Sequence, residues 1–349
     1  MTTSLTASER ASVAVVRDAL GGLIPSELNS DYHLLRWHDG YGGDVTAIKA
    51  EFRRYLDFRR CVGFDAADDA FTNNWMDDER VRRVMPLIAH SQLRDTAVSR
   101  RLDGIVFVER GMPADIEYQL PRVVKSSDYG CLTFGYCEYL QRFILRQEAL
   151  TGRRHMAICL FDIGLTNTLR WLNPMAPHVQ LFRMRTEIWG HTIGLLSFHK
   201  TGPRECLFPG IVGKVFVLNG PRMFELVWQA AKTMISKKSR HLLDVTTTQR
   251  LLELVIPRAY GGTLVNSSGF GDPLHCCSER ATLSEREFYD TNAIWRKYST
   301  EKPTTQQVHI RAKQQWQWRS TVTAPGKALV WQVAIKGDLQ LTIAYLETD

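Results

Sequence analysis

Few residues in this chain have the type and spacing to do chemistry. Asp162 follows a short apolar run, where α/β enzymes hold a catalytic acid and where an aspartate equally serves to cap a turn. His178, His191 and His199 lack the spacing of metal ligands. The seven cysteines (Cys61, Cys131, Cys137, Cys159, Cys206, Cys276 and Cys277) form no CxxC pair and no Cys/His set, so they read as thiols and no structural zinc is expected. There is no GxSxG elbow, no GxxxxGKS or GxxxxGKT phosphate loop and no HExxH helix, and no GxGxxG follows a strand. Gly269-Phe270-Gly271-Asp272 has no strand leading into it and reads as a linker element. The expectation is a protein without catalysis, cofactor or metal. What remains is electrostatic: Lys237, Lys238, Arg240 and His241 stand just beyond a broad apolar stripe, and such a cluster attracts acidic partners.

The elements that would position these groups follow from periodicity. Residues 214–218 form an apolar strand that turns at Asn219-Gly220-Pro221 into a helix with proline at its first position. That helix carries Met223, Phe224, Val227, Trp228, Ala231, Met234 and Ile235 on one face, with Arg222, Glu225, Gln229 and Lys232 on the other. It is either a core helix or a movable cover over something apolar. Further strands are expected at 104–108 and 155–161, with a long helix at 128–150 ended by Gly152. Strands alternating with helices imply an α/β domain with a largely parallel sheet, closing near Ala259-Tyr260-Gly261-Gly262. Within a strand, Ala157, Cys159 and Phe161 point opposite to Met156, Ile158 and Leu160, as Val215 and Val217 do to Phe216 and Leu218. One set must pack on helices; the other is free to do the same or to line a cavity.

Ahead of this domain lies a small helical unit over residues 1–65. It comprises a helix at 8–24, a second opened by an acidic cap at Asp31, and a third capped by Asp44. The third aligns Val45, Ile48, Phe52, Tyr55 and Leu56, with Arg53, Arg54, Arg59 and Arg60 towards its end, where they suit the helix dipole. Residues 266–305 lack periodicity and read as a linker. Residues 306–349 alternate, in Val308/Ile310, Trp316/Trp318, Leu329/Trp331/Val333/Ile335 and Leu339/Leu341/Ile343/Tyr345, with turns at Pro325-Gly326 and Gly337-Asp338. They are expected to form antiparallel β, too little for a full sandwich.

Composition bounds the classes. The 349 residues hold 44% hydrophobic side chains and a net charge of +7. With a mean hydropathy of -0.22 and a pI near 9.0, the chain reads as soluble and suited to acidic partners. No apolar run approaches the ~18 residues of a membrane span. The first residues, with Glu9 and early arginines, do not read as a signal peptide, so a cytoplasmic location is expected. Basic residues seldom alternate with aromatics, and no nucleic-acid partner is expected.

Several stretches taken in order resemble a known family. Asp31-Tyr32-His33-Leu34-Leu35-Arg36-Trp37, then Asp44-Val45, Phe52-Arg53 and Phe58-Arg59-Arg60, are similar to the helical lead of the CRAL-TRIO lipid-transfer family. Ile158-Cys159-Leu160-Phe161-Asp162, Asn173-Pro174, Phe208-Pro209, the run from Gly213 to Asn219, Pro221-Arg222 and Tyr260-Gly261-Gly262-Thr263 resemble its lipid-binding domain, here residues 80–265. Glu287-Phe288-Tyr289, Val308 and Val330-Trp331 resemble the linker and first strands of a GOLD domain, an arrangement similar to animal members related to supernatant protein factor.

The resemblance implies one lipid in an apolar pocket closed by a gate helix. Ala157, Cys159, Phe161, Val215 and Val217 would line its floor; Tyr139 and Phe143 would form a wall; Phe224, Val227, Trp228 and Ala231 would face it from the gate. Lys237, Lys238 and Arg240 would hold the protein transiently at anionic head groups, peripheral on intracellular membranes. Members that grip an inositol phosphate carry a glutamate and a lysine where this chain has Gly210 and Leu242. Hydroxyl residues that hold a choline head group elsewhere are here Ala157 and Cys159. A tocopherol, squalene or other isoprenoid, or a sterol is thereby favoured over a phospholipid, which stays open. Residues 191–207 are extra relative to the family. The alternative is a non-catalytic lipid-sensing adaptor in membrane trafficking or signalling.

Overall fold

The computed structural model describes residues 5–65, 98–99, 104–110, 114–164, 176, 181, 207–220, 243–245, 283–311, 313–321, 324 and 329–334. Helix α1 (Ala7–Leu20) opens with a capping box: Thr6 Oγ1 accepts from the Glu9 N–H, and the Glu9 carboxylate accepts from the Thr6 N–H. Helix α2 (Asp31–Gly40) is capped by Ser30, whose hydroxyl accepts from the His33 N–H. The expected cap at Asp31 is thus one residue late. Asp31 sits in the first turn, where its charge suits the dipole, and pairs with Arg17 at 2.7 Å. Helix α3 (Val45–Val62) is capped by Asp44 as expected and ends at Gly63 in the left-handed region.

The sheet has five strands in the order β1 (Val98–Ser99), β2 (Gly104–Arg110), β3 (Met156–Asp162), β4 (Val212–Leu218) and β5 (Leu243–Val245). β1 is antiparallel to β2 and every other pairing is parallel. Helices α4 (Ala114–Val123) and α5 (Ser126–Thr151) make the crossover from β2 to β3. The three strands expected in the α/β domain and the long helix are present, with ends shifted by one or two residues, in a mixed helical and parallel-sheet fold. Their near-continuous apolar runs are what a sheet buried on both faces requires.

Register and alternation together assign the faces. Phe107, Cys159 and Val215 lie in one row, and Glu109, Phe161 and Val217 in the next. With Ile105 and Ala157 they share one face, and α5 covers it: the Phe107 and Tyr136 rings meet edge to face at 6.0 Å. The N-terminal helices do not form a core of their own. Val16, Leu34 and Phe52 belong to the same buried cluster as Leu140 and Ile144 of α5 and Cys159 and Val215 of the sheet.

The contacts divide the chain into two compact units, Met1–Glu287 and Phe288–Asp349. The second contains a short helix, α6 (Ala293–Lys297), with Trp295 buried. The antiparallel β expected over 306–349 is not formed among the described residues, which from 301 to 334 include no strand. Alternation supplies an apolar face, but a strand is fixed only when another layer covers that face. Here Trp316, Trp318, Leu329, Trp331 and Val333 are exposed. Residues 335–349 lie outside the described set.

Candidate functional site

The sheet face beneath α5 brings together seven of the residues expected to touch a ligand. Ala157, Cys159, Val215 and Val217 are buried side by side, and Phe161 packs against the same core at the end of β3. From α5, one turn apart, come Phe143, buried, and Tyr139, half-buried, with their rings 6.4 Å apart. These side chains offer almost only carbon and sulfur, a surface suited to an apolar chain and not to proton transfer. One carboxylate shares the face: Glu109, buried, lies in register with Phe161. Periodicity had not singled it out, although a charge ending a strand of Gly104-Ile105-Val106-Phe107-Val108 was the available signal. The remaining candidates, Phe224, Val227, Trp228, Ala231, Lys237, Lys238 and Arg240, lie outside the described residues.

Two buried polar clusters join the N-terminal helices to α5, and neither was anticipated. In the first, Tyr55 Oη donates to Glu138 Oε2 at 2.6 Å and accepts from Gln141 Nε2 at 2.7 Å. Arg59 Nε lies 3.0 Å from Glu138 Oε1, while its Nη2 donates to Glu27 at 2.8 Å. Burial, then the Glu138 charge, raises the Tyr55 hydroxyl pKa well above its ordinary value. The arginine expected to serve the helix dipole is therefore 1% exposed and spans three elements. In the second cluster, Arg36 Nη2 donates to Glu148 Oε1 and, at 2.9 Å, to the His155 carbonyl. The His155 N–H donates back to Glu148 at 2.8 Å. Burial raises the Glu148 carboxyl above its usual range, against the pull of Arg36. Beside it, Trp37 Nε1 donates to His33 Nε2 at 3.2 Å, and burial, helped by Arg36 and Arg59, depresses the His33 pKa to about 3.

Asp162 caps its turn. Its Oδ1 accepts from the Gly164 N–H and from Asn219 Nδ2, both at 3.0 Å, tying the end of β3 to the end of β4. Among the described residues, no three His, Cys, Asp or Glu side chains gather where a metal could sit. Among them, too, no helix is long and apolar enough to cross a membrane. Gly210, at the position where the resemblance calls for a glutamate, has φ +64°, and a Cβ there would stand 3.5 Å from Arg36. The left-handed backbone favours glycine, so the substitution is built into the turn that precedes β4.

No family model matches the chain. A CRAL-TRIO domain-containing protein of Caenorhabditis elegans is 26% identical over 352 residues, covering 97% of this chain and 83% of that protein. The crystal structure of Sfh5 superposes with a TM-score of 0.41 at 11% identity, over 81% of this chain and 95% of that one.

Proposed function

We propose that this chain binds a single hydrophobic lipid between the sheet and its covering helices and transfers it between membranes without catalysis. The observation that carries the reading is the apolar face of β3 and β4, where Ala157, Cys159, Val215 and Val217 lie in one buried cluster that includes Phe143 of α5 and against which Tyr139 packs. The likeness to a CRAL-TRIO domain-containing protein along nearly the whole chain supports it. Phe224, Val227, Trp228 and Ala231 form the inner face of a gate. Each methylene of a bound tail contributes ~0.8 kcal/mol when the pocket is dry. Gly210, Leu242, Ala157 and Cys159 offer no head-group grip, which favours a neutral ligand of the tocopherol, squalene or sterol kind over a phospholipid. Lys237, Lys238 and Arg240 add about 1 kcal/mol each at an anionic surface, enough for transient docking.

Mass spectrometry of organic extracts from the purified protein is the test. A stoichiometric lipid is expected, lost in Ala231→Trp and kept in Asp162→Asn. A lipid-free protein that moves no lipid between liposomes would overturn the carrier and leave the adaptor. Unchanged loading in Ala231→Trp would overturn the pocket.

A further inference from the structure

The second unit presents a surface that the carrier reading does not use. From Lys302 to Gly337 the sequence carries six basic residues and no acidic one. Within that stretch Trp316 is 47% exposed and Trp318 56%, flanked by exposed Arg311, Lys313 and Arg319. Leu329, Trp331 and Val333 follow, also exposed. Large apolar side chains left in water over so short a stretch mark a surface that meets something else.

We propose that this unit docks on an anionic bilayer surface, with Trp316 and Trp318 at the head-group level and Arg311, Lys313 and Arg319 on the lipid phosphates. Charge gives the sign of the partner: with no carboxylate in the stretch, every long-range interaction there attracts an anionic surface and repels a cationic one. Side-chain type gives its class. An indole has an apolar body and one N–H donor, which is why tryptophan gathers where hydrocarbon meets water. The backbone agrees. The described residues from 301 to 334 form no strand or helix. A hydrated interface tolerates that, whereas a hydrocarbon core does not. The contact lies on a different unit from the proposed gate, and it needs no occupied pocket.

Sedimentation of the full chain with phosphatidylcholine vesicles, with and without phosphatidylserine, tests the proposal. The protein is expected to pellet with the phosphatidylserine vesicles and to be released as salt rises. R311Q/K313Q/R319Q should lower that partitioning roughly a hundredfold, at about one decade or less per charge. Vesicles should also shift tryptophan emission to the blue, and W316F/W318F should lack most of that shift while keeping its circular dichroism. Pelleting unchanged in the triple variant, or an equal blue shift in W316F/W318F, would overturn the proposal. So would variants that bind vesicles normally but lose self-association or the retention of single-stranded RNA. A lipid-free organic extract would count against the carrier alone, because it does not alter vesicle pelleting.

Discussion

Glu138 is fully buried between Tyr55 and Arg59, in the middle of a long helix that reads from sequence as a wall. Periodicity assigns a charged residue to whichever helical face it falls on; the partner that justifies burial comes from a different helix. The same holds for Glu148 with Arg36. The legible signal was narrower: a carboxylate among Tyr136, Cys137 and Leu140 has no place in a stripe unless something pairs with it. His33 makes the clearest prediction at this scale. Its pKa is about 3 in the folded state, below its ordinary 6.5, so the unfolded chain takes up a proton that the folded one refuses. Its contribution is therefore constant above neutrality, and stability falls as pH drops below 6.5 towards 3. The slope reaches about 1.4 kcal/mol per pH unit. Urea unfolding across this range should show a shallower decline in His33→Gln, which keeps an acceptor for Trp37. Equal slopes in the two proteins would refute the assignment.

Strands β2, β3 and β4 were legible as elements because continuous apolar runs between turn residues have few other uses, whereas the short β1 and β5 were not. How closely the strands pack was not legible either. A Cβ at Gly213 on β4 would overlap the Met156 side chain on β3, and one at Gly104 on β2 would stand 2.6 Å from the end of the Ile158 side chain. Gly213 thus leaves the slot in which the Met156 side chain lies, just where the register shifts between Ala157 and Ile158. Gly213→Ala should destabilise by about 1–3 kcal/mol, the usual range for overpacking. Gly213→Ala with Met156→Ala should recover part of that, read as a smaller drop in the urea midpoint. If the double variant is as unstable as the two losses combined, the slot is not the cause.

At the scale of the molecule, the N-terminal helices cannot be set apart from the sheet. Trp37, Tyr55 and Phe52 pack among themselves, and Tyr55 meets both Phe134 and Phe208, so residues 5–65 and the α/β layer bury one another. A chain lacking residues 1–65 would expose this aromatic face together with Glu138 and Glu148. It is expected to lose its cooperative thermal transition, whereas deletion of residues 288–349 should leave that transition in place. Calorimetry of the two truncations checks both, and a cooperative transition in the first would show the helices to be dispensable. The amino-acid sequence alone determined helices α1, α2, α3 and α5, strands β2, β3 and β4, and the apolar identity of Ala157, Cys159, Val215 and Val217, because periodicity and turn chemistry are local. Only the tertiary structure decided that this face lies under α5, that Arg59 and Arg36 are buried in ion pairs, and that the alternation after residue 306 makes no strand among the described residues. Each of those depends on what a distant part of the chain places opposite, and a one-dimensional pattern carries no record of its partner.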